Sequence, residues 1–195
     1  MRLKKKKGEL ILQSTITYTI TLILAMIVFT MSYGIIMTEA EMCGDDLISS
    51  ELAVYKDIDM EELGKSDELR KIIITDYEKA FETFNEYLCK NLNLDENLKP
   101  MYIEYNFIKS RVNIDSFIIY NVYNDSVQTI TYNGSYDNKF SNTGFIENSK
   151  GRIISPKGNT IENTTVYAKI SFNIITIFNN EKTVSIEEES DILKE

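Results

Sequence analysis

The side chains able to do chemistry in this chain are carboxylates and two thiols, because its 195 residues include no histidine. Without histidine, neither a Ser-His or Cys-His catalytic pair nor a histidine-ligated metal site can form. The 30 Asp and Glu residues follow no calcium-loop spacing, and carboxylate pairs arise by chance in so acidic a chain. The sequence therefore predicts a protein that is not an enzyme and has no metal site and no cofactor.

Cys43 and Cys89 are the only cysteines, and both fall on or beside apolar faces of predicted helices. A disulfide between them would require Cα atoms about 4.4–6.8 Å apart and a location outside the reducing cytoplasm. Two thiols that pack as small hydrophobic side chains explain the same residues equally well. The sequence leaves both alternatives open.

Positive charge is concentrated at the amino terminus. Arg2 and Lys4 to Lys7 give the first nine residues, with Glu9, five basic and one acidic side chain, or +4. Residues 10–195 carry 16 basic and 29 acidic side chains, or −13. Because an acidic surface repels phosphate, the sequence predicts no nucleic-acid partner.

Residues 10–38 contain no formal charge over 29 positions. A helix of that length spans about 44 Å, more than the roughly 30 Å of bilayer hydrocarbon. We therefore expect a basic cytoplasmic leader over residues 1–8, a transmembrane helix over 9–38 and an extracytoplasmic domain over 39–195, because basic flanks stay in the cytoplasm. The alternative is a cleaved secretory signal, whose apolar core is shorter, about 7–15 residues.

Five hydroxyl side chains crowd the first half of this predicted span: Ser14, Thr15, Thr17, Thr19 and Thr21. They either bond to carbonyls of their own helix one turn back or reach neighbouring membrane helices. The sequence leaves both open.

The remaining elements predict an α+β fold. Ile36, Ala40, Cys43, Leu47, Ser50 and Val54 recur at spacings of four and three, so the transmembrane helix should continue as an amphipathic spine over residues 39–55, with Glu51 on its polar side. A second helix is expected over 76–92, begun by a capping box of Thr75 and Glu78. A mainly antiparallel sheet is expected over 101–187.

Alternating side chains mark five candidate strands: Tyr102–Ile108, Arg111–Tyr123, Val127–Asn133, Thr165–Phe178 and Thr183–Glu187. Residues 134–163 are rich in Asn, Ser and Gly and are predicted to form a long surface loop. Glu187 to Glu189 are predicted to open a frayed, charged tail.

This arrangement resembles the type IV pilin superfamily, and in particular the TadE/TadG-like pseudopilins of tight-adherence (Flp-type) pili. The resemblance rests on the leader from Lys4 to Gln13, KKKKGELILQ, and on the layout of a long apolar helix before an α+β domain. The segments Asp45–Val54 and Phe117–Tyr123 are also similar to members of this group.

The resemblance implies a processing site after Gly8. In the superfamily a peptidase cuts after the leader glycine, and a glutamate stands fifth in the mature chain. Here such a cut would place Glu9 first and Gln13 fifth. Gln13 cannot neutralise a neighbouring amine in lipid, where an unpaired charge is costly. Either Glu9 takes that role or the leader is retained.

The resemblance also implies a function without catalysis. The expected role is a single-pass structural or assembly component of a pilus or secretion filament. Its partners would be membrane lipid and other pilin-like subunits or pilus assembly proteins. The alternative is an extracytoplasmic ligand-sensing domain that works with a separate partner and uses the loop over 134–163 as the lip of its pocket.

Overall fold

The computed structural model describes residues 2–58, 72–104, 106–134 and 140–191. The chain divides into two units, Met1–Ala40 and Glu41–Glu195. The described residues form two α-helices, a short 3-10 helix and five strands. The fold is α+β, as the sequence predicts.

Helix α1 comprises Arg2–Ala53 and is followed by a 3-10 helix, Val54–Asp57. It begins seven residues before the predicted start at Glu9, since lysine favours helix and the leader contains no proline. Within the second unit, the predicted stripe of Cys43, Leu47, Ser50 and Val54 is buried. Leu52, which is not part of that stripe, is 45% exposed.

Helix α2 comprises Tyr77–Asn91 and buries Ala80, Phe84 and Leu88 on one face. Its N-cap is Asp76, whose carboxylate accepts a 3.0 Å hydrogen bond from the backbone N–H of Lys79. The capping box predicted for Thr75 and Glu78 is therefore wrong by one residue. A carboxylate at the N-cap is also the better partner for the positive end of the helix dipole.

The second unit contains one antiparallel sheet with the strand order β3-β2-β1-β4-β5. The strands are β1 (Asn113–Tyr123), β2 (Ser126–Tyr132), β3 (Phe140–Ile146), β4 (Thr165–Ile175) and β5 (Glu181–Asp191). A tight turn joins β1 to β2, and Asn124 in it has a φ of 52°, a left-handed conformation that asparagine tolerates.

Three sequence-based predictions about the sheet are wrong. The described residues of 102–108 form turns and loop rather than a strand, and Tyr105 lies outside the described residues. Strand β3 falls within the predicted loop 134–163, of which 135–139 are also outside the described residues. Glu187 to Glu189 belong to β5 rather than to a frayed tail. Nζ of Lys169 on β4 lies 3.3 Å from Oε2 of Glu187, and cross-strand pairing of opposite charges favours the strand.

Both faces of the sheet bear apolar clusters. On one face, α2 packs on β1 and β2, with ring centroids 4.8 Å apart for Phe84 and Phe117 and 4.1 Å apart for Phe81 and Tyr132. On the other, the connection before β4 helps to bury a smaller cluster of Tyr120, Val127, Ile161 and Tyr167. The inward side of β4 is the predicted one: Val166, Ala168, Ile170, Phe172 and Ile174 are buried.

The packing of α2 predicts the effect of truncating Phe84, which is fully buried. We expect Phe84→Ala to lower the free energy of unfolding by about 3–5 kcal/mol, because it removes apolar contacts and leaves a cavity. Urea unfolding of the full chain in detergent, followed by near-UV circular dichroism of the tyrosines, measures this.

The matched control is Phe178→Ala, since Phe178 is 71% exposed. It should change the free energy of unfolding by no more than about 0.5 kcal/mol. Equal effects of the two substitutions would contradict the packing described for α2.

Candidate functional site

The first unit presents an apolar surface that it does not bury. Its most apolar window of 18 residues has a mean hydropathy of 2.3, and none of that window is buried. Ile11, Leu24, Phe29 and Ile35 are each more than half exposed. Helix α1 is therefore long and apolar enough to cross a membrane, and it is the one such helix in the described part of the chain.

The hydroxyl groups of this segment bond within α1. Five of them each donate a 2.9 Å hydrogen bond to a backbone carbonyl oxygen three or four residues earlier: Ser14, Thr15, Thr17, Thr19 and Thr21. The first of the two alternatives that the sequence left open is thus present in the structure, and contacts with neighbouring membrane helices stay a prediction. Bonding to its own backbone leaves the surface of the segment effectively apolar, despite its polar residues.

The residues of the expected processing site all lie within α1. Gly8, Glu9 and Gln13 are exposed, and a Cβ added at Gly8 would meet no atom within 4 Å. The Gly8–Glu9 bond is thus accessible but helical, so a peptidase would have to unwind it locally. Cleavage at this bond stays a prediction.

In the second unit, Glu51 is the charged side chain that packing encloses most completely. It is fully buried against the sheet, and its Oε1 accepts a 2.9 Å hydrogen bond from the backbone N–H of Ala168 in β4. Its Oε2 has no hydrogen-bonding partner among the described residues. The sequence placed Glu51 on the polar side of the spine, and that expectation is wrong.

Burial raises the pKa of the Glu51 carboxyl well above its ordinary value. The carboxylate of Glu188 acts in the same direction. The Ala168 N–H, the Ser190 hydroxyl and the charge of Lys157 act in the opposite direction, although no hydrogen bond of normal geometry joins Ser190 to Glu51. Desolvation is the largest of these effects, so the folded state favours a neutral Glu51.

Tyr55 lies one helical turn beyond Glu51 and links the same segment to β5 and to the residue that precedes β4. Its hydroxyl is 2.9 Å from the carbonyl oxygen of Thr164 and 2.7 Å from that of Ser190, and it donates its proton to these two acceptors. Burial, followed by the charges of Asp191 and Glu51, raises the pKa of Tyr55. Together these contacts form what we call the α1–sheet junction: Glu51, Tyr55, Thr164, Ala168 and Ser190.

The two cysteines do not form a disulfide. Cys43 is buried in α1, and the Cys89 thiol donates to the carbonyl oxygen of Asp95 at 3.2 Å. Burial, followed by the charges of Asp95 and Glu96, raises the pKa of Cys89, which makes its thiolate scarcer at neutral pH. Of the two alternatives for the cysteines, the structure has packed thiols.

A cleft of about 680 Å³ lies beside the end of α2, with Asn85, Cys89, Leu94 and Met101 in its wall. No residue of 134–163 lines this cleft. The described residues 140–146 of that segment instead pair with β2 as an edge strand. Residues 140–146 of the predicted pocket lip are thus part of the sheet. Among the described residues, no group of three or more Cys, Asp or Glu side chains could hold a metal ion.

No family model, curated protein or solved structure matches this chain.

The α1–sheet junction predicts an unusual pH dependence of stability. Because Glu51 holds its proton to higher pH when folded than when unfolded, unfolding releases that proton, and the contribution of Glu51 to stability is lost as the pH rises above about 4.5. Glu51→Gln keeps a neutral group that can still accept from Ala168. Its stability relative to the wild type should therefore rise with pH, by at most about 1.4 kcal/mol per pH unit.

Urea unfolding of both chains across the acidic-to-neutral range measures the difference. Glu41→Gln makes the same chemical change at an exposed position of α1 and should leave the profile parallel to that of the wild type. If Glu51→Gln also runs parallel, the buried carboxyl does not titrate as described.

Proposed function

We propose that this protein is a membrane-anchored, pseudopilin-like structural subunit of a pilus or secretion filament. The observation that supports this proposal is the exposed, charge-free surface of α1 in the first unit, of which the most apolar window is entirely unburied. Apolar patches of this extent are covered by lipid or by other proteins in a functioning molecule. A structural role also agrees with the lack of histidine in the chain.

The proposed orientation follows from charge. The leader carries Arg2 and Lys4 to Lys7, whereas residues 41–195 carry 16 basic and 28 acidic side chains, or −12. Basic residues next to a span stay in the cytoplasm. The leader would thus be cytoplasmic and the second unit extracytoplasmic, where it would meet other subunits.

Association would occur mainly along α1. Because the hydroxyls in its first half bond within the helix, neighbouring helices would meet an apolar surface and associate by close packing. Ala25 and Gly34 are the small residues of the charge-free run at which backbones can approach most closely. The partners would be other pilin-like subunits or copies of this chain.

Processing remains a separate part of the proposal. A cut after Gly8 leaves Glu9 as the new amino terminus, where its carboxylate lies next to the freed amine. A retained leader keeps five basic side chains at the cytoplasmic end. The intact mass of the protein purified from its native membrane distinguishes these two forms.

Gly34 provides the test of helix packing. A Cβ added there would meet no atom within 4 Å, so Gly34→Leu should leave the fold of a single chain intact. If neighbouring helices pack at this position, we expect self-association in bilayers to weaken about fivefold or more, because a bulky residue separates the backbones. Energy transfer between labelled full-length chains in vesicles measures the association.

Ile27→Leu conserves side-chain volume on the same helix and is the matched control, expected to leave association unchanged. Co-purification of other subunits from native membranes should likewise be weaker with Gly34→Leu and unchanged with Ile27→Leu. Gly34→Leu and Ala25→Leu chains that associate as strongly as the wild type would contradict assembly through α1.

A further inference from the structure

Within the second unit, the contacts between α1 and β5 show near which end of the sheet each part of the helix lies. A Cβ at Gly44 would lie 3.5 Å from Oε1 of Glu188 and 4.0 Å from Cγ2 of Ile186, whereas the Tyr55 hydroxyl contacts the carbonyl oxygen of Ser190. Ile186 is nearer than Ser190 to the hairpin that joins β4 to β5. Glu41, at which this unit begins, therefore lies toward the hairpin end of the sheet.

The connection between α2 and β1 lies at that same end. Asn91, the last residue of α2, donates from its side-chain amide to the carbonyl oxygen of Asp46 at 3.3 Å. Farther along, the backbone N–H of Lys109 donates to the carbonyl oxygen of Asn173 at 2.8 Å, two residues before β4 ends. We call residues 92–104, 106–112 and 175–182 together the Glu41 end of the second unit.

Large apolar side chains are exposed at the Glu41 end. Six of them are between 42% and 71% exposed, namely Met101, Tyr102, Ile103, Ile175, Ile177 and Phe178. The most exposed, Phe178, lies in the turn of the hairpin. A tyrosine among them is typical of a surface that meets the boundary of a membrane, since its ring is apolar and its hydroxyl is polar.

The charge of the Glu41 end differs from that of the rest of the unit. Residues 92–112 contain three acidic and three basic side chains, and residues 175–182 contain one of each, so the sum is zero. The whole of residues 41–195 carries −12, and this net charge comes from residues outside 92–112 and 175–182. An anionic lipid surface therefore repels residues 92–112 and 175–182 less than it repels the unit as a whole, although the adjoining start of α1 in this unit carries Glu41, Asp45 and Asp46.

We propose that the Glu41 end rests on the lipid bilayer, with Ile177 and Phe178 inserted among the headgroups. This rests on the proposed function, because it takes residues 10–38 as the membrane span. Only two residues, Glu39 and Ala40, separate that span from Glu41, so chain connectivity keeps this end of the unit near the bilayer. Apolar side chains at such a surface are buried about 5–10 Å into the boundary between headgroups and acyl chains.

The chain contains no tryptophan, so a single introduced tryptophan reports its own surroundings. Three full-length variants are reconstituted into vesicles of phosphatidylcholine and phosphatidylglycerol, with and without bromine on the acyl chains. Phe178→Trp probes the Glu41 end, and Leu24→Trp probes the span. Phe145→Trp is the matched control, since Phe145 is exposed in β3 and contacts Tyr123 at the opposite end of β1.

Bromine quenches tryptophan only at close range. We expect several-fold quenching of Leu24→Trp and Phe178→Trp, and almost none of Phe145→Trp. Quenching of Leu24→Trp without quenching of Phe178→Trp would overturn the lipid contact and leave membrane anchoring intact. An unquenched Leu24→Trp would overturn anchoring itself, and equal quenching of Phe145→Trp and Phe178→Trp would show adsorption without a preferred surface.

Discussion

The structure depends on the fact that the first unit cannot cover its own apolar surface. A single helix has no second element against which to bury its side chains, and residues 10–38 contain no charge to hold them in water. Exposing a surface of this size to water costs free energy in proportion to its apolar area. Contact with lipid or with neighbouring helices would cover this surface, and the proposed role supplies that contact.

The same helix becomes an ordinary core element in the second unit, and the α1–sheet junction fixes it there. Glu51 and Tyr55 reach backbone groups of β4 and β5, which aligns the helix along the sheet more specifically than apolar packing alone does. A buried carboxyl is costly, and one that is partly unsatisfied is more so. Because the buried Glu51 costs free energy, the junction acts on the alignment of α1 along the sheet more than on the stability of the fold.

The sequence predicts the elements of this protein better than their edges. The spine stripe and the inward face of β4 follow from periodicity, because one face of each element meets the core. The charge-free run follows instead from its length and composition. Strand β3 is exposed along most of its length, so it has no buried face to give an alternating pattern. Strand β5 extends through Glu187 to Glu189 because it pairs with β4 along its whole length. Lys169 and Lys157, which are distant in sequence, add ion pairs to Glu187 and Glu188. The spacing of Glu51, four residues after Leu47 and three before Val54, indicates the buried face of the helix. Its charge instead led to the prediction that it lies on the polar side.

The most direct test of the central claim is the fate of the protein when native membranes are washed with alkaline carbonate. This treatment removes peripheral proteins and retains those that span the bilayer. The account predicts that the protein stays in the pellet and that its intact mass includes residues 9–38. Release into the supernatant, or a mass that shows the apolar segment has been removed, would contradict it.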